Sequence, residues 1–210
     1  MITTIGVRET IKNLSDLRTY FNLTQTEDDN FFREWYEELP EITETENIAI
    51  SRIKQRYDYH RQTQPLLEGT INLLVISPLL EIAGFFDPPF KISSPESIQL
   101  IIEDPDQTII KGMIDVLVIQ ETLWILVVES KRTSIPVPSA FPQILAYMMA
   151  NSQKNKPTFG MVTNGDSFVF LKLSHQENTP KYDVSREFSL FPRRHELTQV
   201  LQILKRLSKL

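Results

Sequence analysis

Near residue 97 the apolar pattern of this 210-residue chain changes period, and that change constrains the fold more than any other feature. Upstream, hydrophobic residues recur at helical spacing. Residues 14–20 form a short amphipathic piece. Residues 29–39 carry Phe31, Phe32, Trp35, Tyr36 and Leu39 and stop at Pro40, which predicts a helix. Thr43-x-x-Glu46 reads as a capping box opening a helix over about 44–61. After a break at 62–65, residues 66–83 place Leu67, Ile71, Leu74, Val75 and Ile82 on one side of a helix. A kink is expected at Pro78 and a stop at Gly84.

Downstream the apolar runs are short and rich in Ile, Leu and Val. Residues 97–103, 108–119 and 123–130 read as strands, with Asp104-Pro105-Asp106 marking the first turn. Ser139 is expected to cap a helix over about 140–150. Residues 158–163 and 167–173 flank Asn164-Gly165-Asp166, a type I′ hairpin signal. A helix over about 195–208 closes the chain. The order of elements predicts an α/β (α+β) fold: a mixed sheet of about five strands flanked by helices. Two units are expected, an N-terminal helical extension over 1–65 and a core over 66–210.

Composition excludes several classes of function. There is no cysteine, so a disulfide scaffold, a thiolate zinc site and a cysteine nucleophile are ruled out. The three histidines are scattered, and no H-E-x-x-H, G-x-S-x-G or phosphate-binding glycine loop occurs. The opening residues lack a signal-peptide pattern, and the apolar stretch over 71–86 is interrupted by Asn72, Pro78 and Glu81. A cytoplasmic protein without a membrane segment is expected.

The net charge is −5, from 22 Lys and Arg against 27 Asp and Glu, which argues against a simple basic nucleic-acid binder. The distribution is uneven. Residues 27–46 hold nine acids and one arginine, a local −8. Residues 151–210 hold ten basic and five acidic residues, a local +5. Arg52, Lys54, Arg56 and Arg61 form a second basic group. A basic face on an acidic protein is compatible with these numbers, and so are ordinary solvated helix surfaces.

The candidate chemistry lies at the end of the most apolar strand. Leu123-Trp124-Ile125-Leu126-Val127-Val128 ends in Glu129-Ser130-Lys131. Residues two apart on a strand share a face, so Glu129 and Lys131 project together. A hairpin centred on Thr122 pairs positions whose numbers sum to 244, which sets Asp115 opposite Glu129. Two such carboxylates repel when both are ionised. A divalent cation relieves that repulsion, and carboxylate oxygens are natural ligands of Mg²⁺. A neighbouring ammonium orients an attacking water and stabilises charge developing on a phosphate. A surface Glu-x-Lys opposite a chance Asp is the simpler alternative.

Asp115, Glu129-Ser130-Lys131 and then Gln143-x-x-x-Tyr147 together resemble the PD-(D/E)xK nuclease superfamily. The spacing is most similar to the nuclease domain of type I restriction endonuclease R subunits. Glu68, ahead of Ile76-Ser77-Pro78-Leu79-Leu80, resembles that domain's acidic first motif, and the strand pair over 159–171 resembles its end. The likeness covers about 66–175, and Ile114 replaces the proline of the family name. It implies a restriction-endonuclease-like core and a Mg²⁺-dependent DNA endonuclease of the restriction-modification kind, with Mn²⁺ as a substitute ion. It further implies that Asp115, Glu129 and Glu68 bind the metal and Lys131 positions the water. Gln143 and Tyr147 support the site or touch the DNA backbone, and Lys111 and Arg132 flank it. Glu81 competes with Glu68 for the first-motif role, but the two lie about 140° apart on a straight helix. A homodimer or a separate motor or specificity subunit is the further partner implied, since no helicase motor follows the core. Two other readings stand beside this one: a non-cleaving nucleic-acid-binding or assembly module of the same fold, and a domain docking a protein through residues 29–39.

Overall fold

The computed structural model describes residues 4–102, 108–120, 123–177, 179–190 and 196–210. The chain begins with β1 (Thr4–Gly6), α1 (Val7–Thr10), α2 (Leu14–Phe21) and β2 (Thr24–Gln25). The helix α3 (Glu44–Arg61) starts at the expected capping box. Thr43 Oγ1 accepts from the Glu46 backbone N–H, and Glu46 Oε2 accepts from the Thr43 N–H at 2.7 Å. Its Ile50, Ile53 and Tyr57 are buried at helical spacing.

The expected helix over 66–83 is α4 (Glu68–Ile71), a π-helical turn (Asn72–Ile76) and α5 (Ser77–Ile82). The widened turn lies directly before Pro78, where the Ser77 N–H reaches back five residues to the Asn72 carbonyl. Proline has no N–H to give and its ring crowds the carbonyl four residues back; one wide turn accommodates both.

Then follow β3 (Phe90–Ser93), β4 (Glu96–Ile101), β5 (Ile109–Ile114), β6 (Val116–Gln120) and β7 (Leu123–Ser130). A 3₁₀ turn (Val137–Ala140) leads into α6 (Phe141–Met149). The chain ends with β8 (Thr158–Thr163), β9 (Ser167–Gln176), β10 (Thr179–Val184), β11 (Phe188–Ser189) and α7 (Leu197–Leu207). Ser139 does not cap α6. It lies inside the 3₁₀ turn, and its hydroxyl donates to the Pro136 carbonyl.

The mixed α/β class agrees with the sequence, but the sheet is larger than five strands. Seven strands run in the order β2-β10-β9-β8-β7-β6-β3, and β11 joins β9 as an eighth. A second sheet has the order β1-β5-β4. The expected single strand over 108–119 is therefore two strands, broken at Asp115, with β5 in the small sheet and β6 in the large one. The pair β7 and β8 is parallel, joined through α6. The segment before residue 66 supplies strands to both sheets: Ile5 pairs with Ile110, and Thr24 with Lys181.

Residues 29–39 are turns, not a helix. Phe31 and Phe32 are buried in the core, and the Lys172 ammonium donates to the Phe31 carbonyl at 2.7 Å and to Glu34 Oε1 at 2.6 Å. Glu38 has φ of 52°, outside the helical region. These long-range contacts override the helical spacing of the aromatics. The hairpin turn at 164–166 also differs from expectation. Only Gly165 has positive φ, at 86°, and Asn164 Oδ1 accepts from the Asp166 and Ser167 N–H groups, which makes an Asx turn. The turn at 104–106 and the start of the last helix near His195 lie outside the described residues.

Two cores sandwich the large sheet. Val116, Val118, Leu126, Val128, Met161 and Phe170 face α3, α5 and α7. Leu117, Val127, Val162, Val169 and Leu171 face α1, α2, α6 and the small sheet. Strand alternation produces this division, so strands buried on both faces read as unbroken apolar runs. Among the described residues no helix is long and apolar enough to cross a membrane.

Candidate active site

The hairpin β6–β7 fixes the centre of the site. Val116 pairs with Val128, Leu117 with Val127 and Val118 with Leu126, so the register has the expected sum of 244. A bulge after Val118 shifts the remaining pairs by one. The break at Asp115 thus lies where the ladder would set it against Glu129. Its side chain completes the ladder: Asp115 Oδ2 accepts from the Ser130 backbone N–H at 2.7 Å and the Ser130 hydroxyl at 2.5 Å. Ser94 Oγ donates to the Asp115 carbonyl at 2.7 Å. Asp115 Oδ1 takes no hydrogen bond among the described residues.

Glu129 is 0 % exposed and Lys131 is 6 % exposed. Both lie at the carboxyl end of β7, beside the parallel strand β8 and under the first turn of α6. The Lys131 ammonium donates to Glu129 Oε1 and, at 3.1 Å, to Gln143 Oε1. Gln143 Nε2 donates to Glu129 Oε1 and to Tyr147 Oη, each at 2.7 Å. Gln143 Oε1 also accepts from Arg8 Nε at 3.2 Å. All four hydrogen-bonding positions of the Gln143 amide are therefore used, which fixes its orientation. Arg8 Nη2 lies 3.4 Å from Glu129 Oε1. Three donors thus converge on Oε1, while Oε2 is buried without a partner among the described residues.

Burial pushes the Glu129 carboxyl up to about 7, and the nearby charge of Asp115 adds to the rise; Lys131 and Arg8 pull it back. Burial and the Glu129 charge also raise the Tyr147 hydroxyl. The Tyr147 ring lies against Gly112 of β5. A Cβ there would sit 2.5 Å from Tyr147 Cε1 and 2.8 Å from Val7 Cγ2. Only glycine permits this approach of α6 and α1 to β5.

Two clefts open onto the cluster. One, of about 370 Å³, is lined by Glu68, Lys131 and Gln143. The other, of about 380 Å³, is lined by Asp115, Lys111 and Tyr147. Glu68 reaches its cleft because the start of α4 is tied to the loop after β7: Leu66 N–H donates to Thr133 Oγ1, and Thr133 N–H to the Leu66 carbonyl, both at 3.2 Å. Glu68 is thus on the Lys131 side of the cluster and Asp115 on the other. Glu81 is exposed and lines neither cleft, and Arg132 is exposed beside Lys131 without lining either. Among the described residues no group of three or more acidic or histidine side chains is arranged to share one ion.

Sequence reasoning did not single out Arg8 or Ser130. Ser130 was legible in principle, since the residue between Glu129 and Lys131 must face the opposite way. Arg8 had no local signal, because its place depends on the pairing of β1 with β5 across a hundred residues. No protein-family model matches the chain, and no curated protein is similar to it.

Proposed function

We propose that this chain is a divalent-metal-dependent DNA endonuclease of the PD-(D/E)xK kind, and that Asp115, Glu129 and Lys131 carry its chemistry. The observation that supports the reading best is Glu129. A carboxylate wholly removed from water, with Oε2 unpartnered, is costly to maintain, on the order of 1–3 kcal/mol for an unsatisfied polar group alone. Such a group calls for a reason, and a metal-ligating role supplies one. The donor set fits Mg²⁺: hard carboxylate oxygens from two side chains, with water and a substrate phosphate to complete the shell. Glu129 Oε2 and Asp115 Oδ1 are the atoms that would hold the ion, while Glu68, in the cleft on the Lys131 side, stays outside that set.

A bound cation lowers the pKa of water and polarises the phosphoryl oxygen. The chain's own residues do the rest. Gln143 holds Lys131 and Glu129 side by side, and Tyr147 holds Gln143. The Lys131 ammonium, moved from Glu129 toward substrate, orients the nucleophilic water and stabilises charge on the phosphate. DNA is then the partner, in a cytoplasmic restriction-modification setting, acting as a homodimer or with a separate motor or specificity subunit.

A second reading is a non-cleaving nucleic-acid-binding module. The complete cover over Glu129 favours it, since a nuclease must open that cover to admit a phosphate. One experiment separates the two. Supercoiled plasmid, single-stranded DNA and branched DNA are incubated with the protein in Mg²⁺, Mn²⁺ or EDTA. Nicking that needs the metal is the expected result. Binding without nicking of any substrate leaves the second reading.

A further inference from the structure

Among the described residues, Arg8 is the one common to both clefts at the cluster. We propose that it grips a phosphate of the nucleic-acid substrate at the mouth of the site, so that the N-terminal segment is part of the active site. The proposal rests on the nuclease reading and assigns a substrate contact within it.

Three features carry it. The first is how Arg8 is mounted. Val7 is buried, Gly6 pairs with Lys111 across the β1–β5 ladder, and the Ile11 N–H closes the turn onto the Val7 carbonyl at 2.8 Å. The backbone under Arg8 is thus held by the fold. The second is how loosely its tip is held. The side chain is 64 % exposed, and its two contacts, at 3.2 and 3.4 Å, lie at or beyond the long end of the hydrogen-bond range. Glu129 already has the closer Lys131 as counter-charge, so Arg8 is not needed to neutralise it. The guanidinium has five N–H donors in a planar fork, and among the described residues two groups accept from it.

The third is the arrangement of charge around it. One cleft holds Lys12 beside Arg8, with Glu68 on its wall and Lys131 tied to Glu129, and the other holds Lys111 with Glu9 and Asp115. Arg8 thus stands between Lys12 on one side and Lys111 on the other, a spacing of bases that matches successive phosphates better than one isolated anion. A planar guanidinium fork suits bidentate contact with a phosphodiester.

The test uses Arg8→Ala, Arg8→Gln and Arg8→Lys in the full chain, with thermal melting to establish that each is folded. DNA binding is read by fluorescence anisotropy in Ca²⁺ across about 50–200 mM salt, and nicking by single turnover in Mg²⁺. Arg8→Ala and Arg8→Gln are expected to bind about tenfold or more weakly, with the slope of log K against log salt reduced by about one. Arg8→Lys restores the slope but only part of the affinity, since it lacks the fork. Wild-type affinity and slope in a folded Arg8→Gln variant overturn the proposal even if the protein cuts DNA. An Arg8-dependent slope in a protein that nicks nothing sustains the phosphate contact and rejects the nuclease reading. A wild type that binds no DNA at low salt overturns both.

Discussion

Glu129→Gln should stabilise the metal-free protein at pH 8. In the unfolded chain this carboxyl ionises near 4.5, and in the fold near 7, because burial and Asp115 disfavour its charge more than Lys131 and Arg8 favour it. Between those two values the folded state holds a proton that the unfolded state has lost. Stability therefore falls as pH rises across that window and stays lowered above it. A rise of about 2.5 pH units corresponds to roughly 3 kcal/mol at 1.36 kcal/mol per unit. Gln has the shape of the protonated acid and cannot ionise, so the variant escapes that loss. Its amide oxygen can still accept from Lys131 and Gln143. For a chain this long, 3 kcal/mol corresponds to roughly 6–12 °C in Tm.

The assay is urea denaturation of both proteins in EDTA at pH 4.5 and pH 8. Subtracting one protein from the other at each pH cancels what the two share and leaves Glu129 together with its coupling to Asp115. The variant should be more stable by up to about 3 kcal/mol at pH 8, with little difference at pH 4.5. A variant equally or less stable at pH 8 would refute the reasoning. It would mean that Lys131 and Arg8 hold Glu129 ionised at a net gain.

Further outcomes are expected at the neighbouring residues. Millimolar Mg²⁺ or Mn²⁺ should raise the wild-type melting temperature by linkage, and Asp115→Asn should reduce that gain; equal shifts in the two would place the ions elsewhere. Lys131→Ala should leave DNA binding in Ca²⁺ close to wild type while slowing nicking in Mg²⁺ about 10²-fold or more. Gly112→Ala should cost about 1–3 kcal/mol in urea denaturation, because the added methyl meets the Tyr147 ring and Val7 on a backbone paired with Ile98 of β4. A neutral Gly112→Ala would mean that α6 can shift away without loss.

What the sequence shows depends on the range of the interaction behind each element. The capping box of α3 is closed by Thr43 and Glu46, three residues apart, and was readable as such. The β6–β7 register was readable because a short turn ties the two strands together, and it carried Asp115 to the end of β7, where its carboxylate bonds Ser130 next to Glu129. Gln143 and Tyr147 follow from one helical turn. Residues 29–39 misled because helical spacing is only a local preference. Here the Lys172 side chain, more than a hundred residues away, fixes the Phe31 carbonyl and Glu34 in a turn instead. The strands β1 and β2 have three and two residues, too few to show a period. They exist because β5 and β10 offer ladder bonds to them.

The break at Asp115 shows why one residue can serve both fold and chemistry. A strand that leaves one sheet for another must interrupt its ladder, and the interruption orphans backbone groups on both sides. Asp115 closes the gap with a single carboxylate oxygen, accepting from the Ser130 N–H, while Ser94 covers the Asp115 carbonyl. An apolar residue there would leave the Ser130 N–H without that acceptor, and a lysine has no acceptor to offer it. A carboxylate meets the structural need with Oδ2 and keeps Oδ1 for another purpose. On the facing strand the alternation of β7 sends Glu129 to the α6 side and turns Ser130 the other way. The same geometry that lets the chain change sheets therefore brings two negative charges together at the end of β7. Burial raises the Glu129 carboxyl most, and the Asp115 charge brought there adds to the rise, a repulsion that a divalent cation would relieve.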